Sequence, residues 1–121
     1  MNEHTSRELD AAMARLADGD RRACAVVFSL LWAELVRFAE RLLGKGPDAD
    51  DAAQQALEKI FTQAADYDSS RSAFAWALAI TGWECRTTLQ RRKRLREAPV
   101  DQAFRLPSTS ADPERAAVES S

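Results

Sequence analysis

The 121-residue sequence has few of the side chains that support catalysis, metal binding or covalent cross-linking. It contains one histidine, His4, and two cysteines, Cys24 and Cys85. Two cysteines this far apart cannot provide the disulfide framework of a small secreted fold, so we expect both to be buried thiols. One histidine and two isolated cysteines also fall short of the ligands of a structural zinc site, and no metal site is predicted.

Glycine and proline are also scarce, at four residues each, and three of the prolines lie in the last quarter of the chain, at Pro99, Pro107 and Pro113. This distribution predicts a helical body followed by an irregular segment. No apolar run approaches the roughly 20 residues that a membrane-spanning helix needs, and the N-terminus lacks the apolar segment of a secretion signal. We therefore expect a cytoplasmic protein without a membrane partner.

Common catalytic patterns are missing as well. The sequence has no glycine-rich phosphate loop, no HExxH and no CxxC. Residues 44–47, Gly-Lys-Gly-Pro, stop a helix, and the adjacent carboxylates of Asp50 and Asp51 diverge on a helix surface. The sequence therefore predicts neither an enzyme nor a bound cofactor.

The apolar residues recur at intervals of three and four, which predicts helices, and no stretch alternates with the period of a strand. The predicted helices run from Thr5 or Ser6 to Gly19, from Asp20 as the N-cap to about Leu43, onward from Asp48 as the N-cap, and from about Ser72 to Arg94. We predict an all-α fold over residues 5–96, a compact helical bundle of three main helices plus a short N-terminal helix. Residues 97–121 are predicted to be a linker or disordered tail.

The net charge of −2 conceals an uneven distribution of charge. Residues 48–68 hold six carboxylates and one lysine, whereas residues 86–96 hold six cations and no acid. An acidic segment followed by a basic segment favours two different partners.

One side of the third predicted helix is continuously polar. Its residues there are Asp51, Gln54, Gln55 and Glu58. Such a face is either solvated surface or a docking surface for a basic protein partner, and the spacing alone leaves both interpretations open.

The basic run at residues 91–94 closes the fourth predicted helix. It is either a favourable cation cluster at the negative end of the helix dipole or a patch that contacts phosphates. The aromatic residues near it in the sequence are Tyr67, Phe74, Trp76 and Trp83. Exposed rings beside cations suit single-stranded DNA, because unpaired bases stack on them. We expect Phe74 and Trp76 to be largely buried, and the pattern leaves Tyr67 and Trp83 undecided.

Several segments, in the same order, resemble those of extracytoplasmic-function sigma factors of the sigma-70 family. Residues 48–57, Asp-Ala-Asp-Asp-Ala-Ala-Gln-Gln-Ala-Leu, resemble the family's Asp-Ala-Glu-Asp-x-x-Gln-Glu-x-Phe run. Residues 19–23, Gly-Asp-Arg-Arg-Ala, resemble the Gly-Asp-x-x-Ala that opens the family's first long helix. Residues 74–80 resemble the Phe-x-x-Trp-Leu-x-x-Ile-Ala segment. The resemblance covers about residues 9–96 and implies the region-two domain, which docks on RNA polymerase and opens promoter DNA.

The resemblance also implies two groups of site residues. In the family, the helix with the Asp-x-x-Gln motif packs on the clamp helices of the largest subunit of core RNA polymerase. Polymerase binding would then fall here on Asp51, Gln54, Gln55 and Glu58. In the family, the loop before the fourth helix and that helix's outer face capture a base flipped from the non-template strand of the promoter minus-ten element. The DNA-binding residues that follow are Tyr67, Ser69, Ser70, Arg71, Trp83, Arg86, Arg91, Arg92 and Arg94. An anti-sigma factor is a further implied partner.

The chain departs from the family at the base-capturing position. The family usually has Ile-Ala-Arg-Asn where residues 80–83 are Ile-Thr-Gly-Trp, and Thr87 stands where an aspartate is expected. An indole can stack on a base but cannot reproduce the paired hydrogen bonds of an amide. Two other functions therefore stay open. One is a sigma-like decoy or regulator that binds polymerase or an anti-sigma factor without opening DNA, and the other is a general binder of single-stranded nucleic acid.

Residues 97–121 resemble the linker that leads to the family's second domain, a helix-turn-helix that reads the upstream promoter element. We expect that domain to be absent, either because the chain is truncated or because it is a natural single-domain relative.

Overall fold

The computed structural model describes residues 1–97, which form helices and no strand. The elements are α1 (Glu3–Ala17), α2 (Ala23–Leu43), α3 (Pro47–Thr62), a short 3-10 helix (Ala64–Asp66) and α4 (Ala73–Glu97). The predicted all-α fold is confirmed. The predicted tail lies outside the described residues apart from Glu97, so the boundary between domain and tail stays a prediction.

Backbone contacts divide the chain into two units, Met1–Leu89 and Gln90–Ser121. The helical core described below belongs to the first unit. None of the helices in residues 1–97 is long and apolar enough to cross a membrane. Nor do the described residues bring together three histidine, cysteine or carboxylate side chains that could hold a metal ion.

The start of α1 is set by Asn2. Its side-chain oxygen accepts a hydrogen bond from the backbone N–H of Thr5 at 2.8 Å, so α1 begins at Glu3. The prediction of Thr5 or Ser6 as the cap is wrong, because an asparagine two residues upstream satisfies a free N–H of the first turn equally well.

Asp20 organises the connection between α1 and α2 without capping α2. Its carboxylate pairs with the guanidinium groups of Arg15 and Arg22, each at 3.0 Å. Hydrogen bonds from Arg22 and Arg15 lower the pKa of Asp20 from 3.8 to about 2. The side chain is occupied by these arginines, and α2 begins at Ala23, later than predicted.

The start of α3 also differs from the predicted cap at Asp48. Pro47 occupies the first turn, where a missing N–H costs no hydrogen bond. Gly46 precedes it with a φ of 147°, a conformation that favours glycine. Asp48 lies inside the first turn, where its carboxylate faces the positive end of the helix dipole.

The core is centred on α2, which buries one residue in every four. Those residues are Ala23, Val27, Leu31, Leu35, Ala39 and Leu43. Leu9 and Met13 of α1 and Ile60 of α3 pack in the same core and are fully buried. Phe28 and Leu42 recur at helical spacing too, but each is 45% exposed because it lies beside the buried stripe.

Helix α4 turns small side chains toward the protein interior. Its buried residues are Ala73, Ala77, Thr81, Cys85 and Thr88. Phe74 and Trp76, predicted to be largely buried, are half-buried and pack against the core. The large apolar residues of α4 therefore lie at its sides and on its outer face.

The two cysteines differ in burial. Cys85 is fully buried in a cluster with Leu43 and alanines of α2 and α3. Burial, followed by the nearby charge of Glu84, raises the pKa of its thiol. Cys24 is only half-buried, so the prediction of two buried thiols holds for Cys85 alone.

The first turn of α4 is tied to α1 through Asp10. The Asp10 carboxylate accepts a hydrogen bond from the backbone N–H of Ala73 at 2.9 Å. The hydroxyl of Ser72 accepts from the N–H of Ala75 at 3.2 Å. A side chain 63 positions away in the sequence thus shares the capping of α4 with a local one.

We predict that Asp10→Ala lowers the free energy of unfolding by about 1 kcal/mol, the usual effect of losing a helix cap. Asp10→Asn retains an oxygen acceptor and should cost less. Urea unfolding followed by circular dichroism measures both variants, with Glu8→Ala at an exposed position of α1 as the control. A loss for Asp10→Ala no larger than for Glu8→Ala would contradict the assignment.

Gly82 offers a second test of α4. A methyl group at Gly82 would lie 3.8 Å from the ring of Phe38, an ordinary contact distance. Gly82→Ala should therefore raise the free energy of unfolding by roughly 0.5–1 kcal/mol, since alanine loses less backbone entropy in a helix. Gly44→Ala should be destabilising, because Gly44 has a φ of 81°. Thermal unfolding compares the two variants, and equal effects would refute the interpretation.

Candidate functional site

The outer face of α3 carries the residues predicted to bind polymerase. Asp51, Gln54, Gln55 and Glu58 are all exposed. Within residues 1–97, these four side chains make no ion pair or side-chain hydrogen bond with one another or with neighbours. Helical spacing places Asp51, Gln55 and Glu58 along one side, with Gln54 at its edge. The structure thus brings the four together, and we call this surface the α3 stripe.

The opposite side of α3 is held in the core by small residues. Ala49, Ala53, Ala56 and Ile60 have no exposed surface, and α3 packs against α2. Alanine loses no side-chain entropy on burial, and it lets the two helices approach closely. The α3 stripe is consequently presented by a helix whose orientation is set by the core.

Tyr67 holds the loop that precedes α4. Its side chain is 6% exposed, and its hydroxyl donates a hydrogen bond to the backbone carbonyl of Arg71. Its ring centre lies 5.4 Å from that of Trp76. Burial, followed by the charges of Asp10 and Asp68, raises the pKa of Tyr67. The Tyr67 ring packs inside the loop and orders it. It is therefore not exposed as a surface on which a base could stack.

Asp68 orders the middle of the same loop. Its carboxylate accepts hydrogen bonds from the backbone N–H of Ser70 at 2.9 Å and from the Ser70 hydroxyl at 2.7 Å. These bonds lower the pKa of Asp68. Ser69, Ser70 and Arg71 are exposed. The loop is therefore built by its own side chains and still presents polar groups to solvent.

A cavity of about 270 Å³ opens between this loop and α4, and we call it the loop pocket. Its lining residues are Asp66, Tyr67, Asp68, Arg71 and Trp76. Asp68 belongs to the loop that the resemblance implies captures a base, and an aspartate two positions before a serine is typical of a side-chain turn. The sequence interpretation missed Asp66 and Trp76 as lining residues.

Trp83, which the sequence left undecided, lies on the outer surface of α4. It is 59% exposed, and the guanidinium carbon of Arg86 lies 5.8 Å from the centre of its ring, within cation–π range. A groove of about 280 Å³ runs beside it, and we call it the indole groove. Its lining residues are Lys59, Gln63, Trp76, Ala79, Ile80 and Trp83. The sequence interpretation did not include Lys59 and Gln63.

The remaining predicted phosphate contacts belong to the unit that begins at Gln90. Arg91 and Arg94 are exposed, and Arg92 is half-exposed. The guanidinium groups of Arg91 and Arg94 are therefore accessible to solvent, where phosphate oxygens could reach them.

Three comparisons with known proteins agree with this architecture. The Sigma-70 region 2 family matches residues 31–95. The ECF RNA polymerase sigma factor SigF of Caulobacter vibrioides is 31% identical over 98 residues, which is 80% of this chain and 55% of that protein. The chain thus spans about half the length of the curated relative it matches.

The fold is similar to that of an engineered region 2 of sigmaE, solved by NMR in complex with GTAAAA. The TM-score is 0.66 at 20% sequence identity, and the likeness covers 81% of this chain and all of that one. At this identity the similarity concerns the fold alone. The family match over residues 31–95, together with the 31% identity to the curated relative, confirms the predicted resemblance. The chain belongs to the sigma-70 region 2 family, as a region-two domain of the extracytoplasmic-function type.

Proposed function

We propose that this chain is a transcription initiation factor domain that binds core RNA polymerase through the α3 stripe and engages the non-template strand of the promoter minus-ten element. The observation that carries the proposal is the presence of an exposed acidic and amide face on α3 together with a preformed loop pocket at the start of α4. The role is one of binding, and it takes place in the cytoplasm, where the polymerase is found.

Polymerase docking is supported by the chemistry of the α3 stripe. Asp51 and Glu58 offer carboxylates, and Gln54 and Gln55 offer amides, on a face that a rigid alanine-backed helix presents. A basic partner helix can pair with the carboxylates while the amides donate and accept hydrogen bonds. The matched relative is itself named as an RNA polymerase sigma factor.

Strand engagement is supported by the loop pocket. Tyr67 and Asp68 hold its walls in place before any ligand binds. This order reduces the conformational entropy that is lost on binding. A base flipped out of the duplex exposes both faces and its pairing edge, and the exposed groups of Ser69, Ser70 and Arg71 can meet that edge and the adjoining phosphate. Capture of the unpaired base would offset part of the cost of melting.

Cations in each of the two units are proposed to contact DNA phosphates. Arg86, Arg91, Arg92 and Arg94 are the proposed phosphate contacts. Each contact releases a condensed counterion, so binding should weaken steeply with salt.

A second candidate function is supported by Trp83. The indole is 59% exposed at the position where the family usually has asparagine, and it has no acceptor for the pairing edge of a base. A sigma-like decoy would keep the α3 stripe, bind polymerase or an anti-sigma factor there, and leave promoter DNA closed.

Polymerase docking has a direct test. Asp51→Lys combined with Gln54→Ala should abolish capture of core RNA polymerase, a loss of about 2 kcal/mol or more, because the substitutions place a cation opposite a basic partner and remove an amide. Glu8→Lys, at an exposed site of α1, makes the same charge change and should leave capture intact. Failure of the unaltered chain to bind core polymerase would overturn the proposal.

Strand engagement is tested by salt dependence. The double variant Arg91→Ala with Arg94→Ala should weaken binding to single-stranded minus-ten oligonucleotides by a similar factor for every sequence. The slope of the logarithm of the binding constant against the logarithm of the salt concentration should become shallower by about 0.7 for each lost contact. Fluorescence anisotropy with and without core polymerase measures both effects. The matched control removes two exposed cations elsewhere, with Arg21→Ala and Lys45→Ala. Normal polymerase binding without any strand binding would favour the decoy.

A further inference from the structure

The outer side of α2 carries an apolar surface that the proposed function does not use. Residues 23–33 contain no charged side chain. Phe28 is 45% exposed, and its ring stacks on that of Trp32, with the ring centres 5.8 Å apart and the planes 12° apart. Trp32 and Val36 are half-buried, and part of each side chain packs on the core. Large apolar side chains that adjoin one another on the surface of a helix indicate a contact with a protein partner.

Two neighbouring rows of side chains, each with four-residue spacing, make up this surface, which we call the α2 face. The first row consists of the exposed residues Arg21, Ala25, Ser29 and Ala33. The second row consists of Phe28, Trp32, Val36 and Glu40. Residues four apart on a helix form a ridge, and the three-residue offset between the rows places them side by side. The first row is therefore a shallow groove with a cation at one end, and the second is a ridge of large side chains with a carboxylate at the other end.

The two rows complement each other when a second copy of α2 lies antiparallel across the first. A two-fold axis that passes between Leu30 and Leu31 brings each residue of the first row opposite a residue of the second row of the other copy. The resulting pairs are Arg21 with Glu40, Ala25 with Val36, Ser29 with Trp32, and Ala33 with Phe28. Each large apolar side chain then faces a small one, as in the packing of ridges into grooves between helices. The two-fold axis repeats every pair, so the same face serves both copies.

The charges at the two ends of the α2 face favour a second copy as the partner. Within residues 1–97, the side chains of Arg21 and Glu40 make no ion pair or hydrogen bond. Glu34 and Arg37, which lie nearby on α2, already pair with each other at 2.8 Å. Opposite charges without a partner thus occupy the positions that the antiparallel register brings together. Arginine and glutamate are long enough to pair where two crossing helices begin to diverge.

We propose that the α2 face is the interface of a homodimer, in which two copies of α2 pack antiparallel about a two-fold axis. Phe28 of each copy packs against Ala33 of the other, and an Arg21–Glu40 ion pair forms at each end. This inference goes beyond the proposed function and does not depend on it, since the α2 face shares no residue with the α3 stripe, the loop pocket or the proposed phosphate contacts. The competing occupant is core polymerase, and the test separates the two.

Sedimentation velocity of the full chain over about 1–100 μM measures its self-association. The unaltered chain should change from monomer to dimer across this range. Phe28→Asp should weaken dimerisation about tenfold or more, because it places a carboxylate at the apolar centre of the interface. Leu42→Asp is the matched control and should leave dimerisation unchanged, since Leu42 belongs to the same helix and is also 45% exposed but lies in neither row. Circular dichroism verifies that each variant is folded.

A charge exchange tests the register of the two helices. Arg21→Glu should weaken dimerisation about tenfold, because two carboxylates then face each other at each end of the interface. Glu40→Arg should have a similar effect, because it brings two guanidinium groups together. An equimolar mixture of the two variants should regain dimerisation as a heterodimer, since each end then pairs opposite charges. Both substitutions lie outside the core, so this experiment decides the question even if Phe28→Asp unfolds the chain.

Three results would overturn the proposal. The first is an unaltered chain that stays monomeric across the concentration range. The second is a dimer that Phe28→Asp leaves intact, or one that the mixture of charge variants does not restore, which assigns self-association to another surface or register. The third is a monomeric chain in which Phe28→Asp, but not Leu42→Asp, abolishes capture of core polymerase, which assigns the α2 face to the polymerase.

Discussion

The burial of small side chains along α4 is the constraint on which the loop pocket and the indole groove depend. Ala73 and Ala77 enter the main core, and Cys85 enters a second cluster with residues of α2 and α3. Since small residues take the inward positions, the bulky side chains of α4 are displaced to its flanks and outer face. Trp76 then lies between two cavities, and Trp83 is left mostly exposed.

The same principle divides α3 into a structural side and the proposed binding side. Its inner face is made almost entirely of buried alanines together with Leu57 and Ile60. Its outer face keeps carboxylates and amides that have no side-chain partner among residues 1–97, at Asp51, Gln54, Gln55 and Glu58. Polar groups of this kind stay hydrated at little cost in the free chain and can exchange water for a partner's donors on docking. The residues that stabilise the fold and those proposed for recognition are therefore different residues of one helix.

The loop before α4 is ordered by its own side chains and by one residue of α1. Tyr67 closes the loop on the carbonyl of Arg71, Asp68 holds Ser70, and Asp10 reaches from α1 to the first N–H of α4. Each of these bonds satisfies a polar group that the fold would otherwise leave to water. The side chains of Tyr67, Asp68 and Asp10 shape the loop, whereas the proposed strand contacts are Ser69, Ser70 and Arg71.

Much of this protein could be read from its amino-acid sequence, because local physics determines it. Three-and-four spacing of apolar residues specified the α-helices, and polar residues of α3 at helical spacing indicated an exposed face. The helix starts were predicted less accurately. Asn2 caps α1 in place of Thr5, and Asp20 is bonded to Arg15 and Arg22 instead of capping α2.

Only the tertiary structure determined which aromatic side chains are buried and which are exposed. Helix α4 carries large apolar side chains around much of its circumference, so its periodicity did not distinguish the buried side from the exposed one. Packing on α2 and α3 then buried the small stripe, left Trp83 exposed, and brought Lys59 and Gln63 beside it. The Asp10–Ala73 hydrogen bond, between residues 63 positions apart, likewise exists only once the helices have packed. Contacts between distant segments depend on how whole helices approach one another, and no local pattern in either segment encodes that approach.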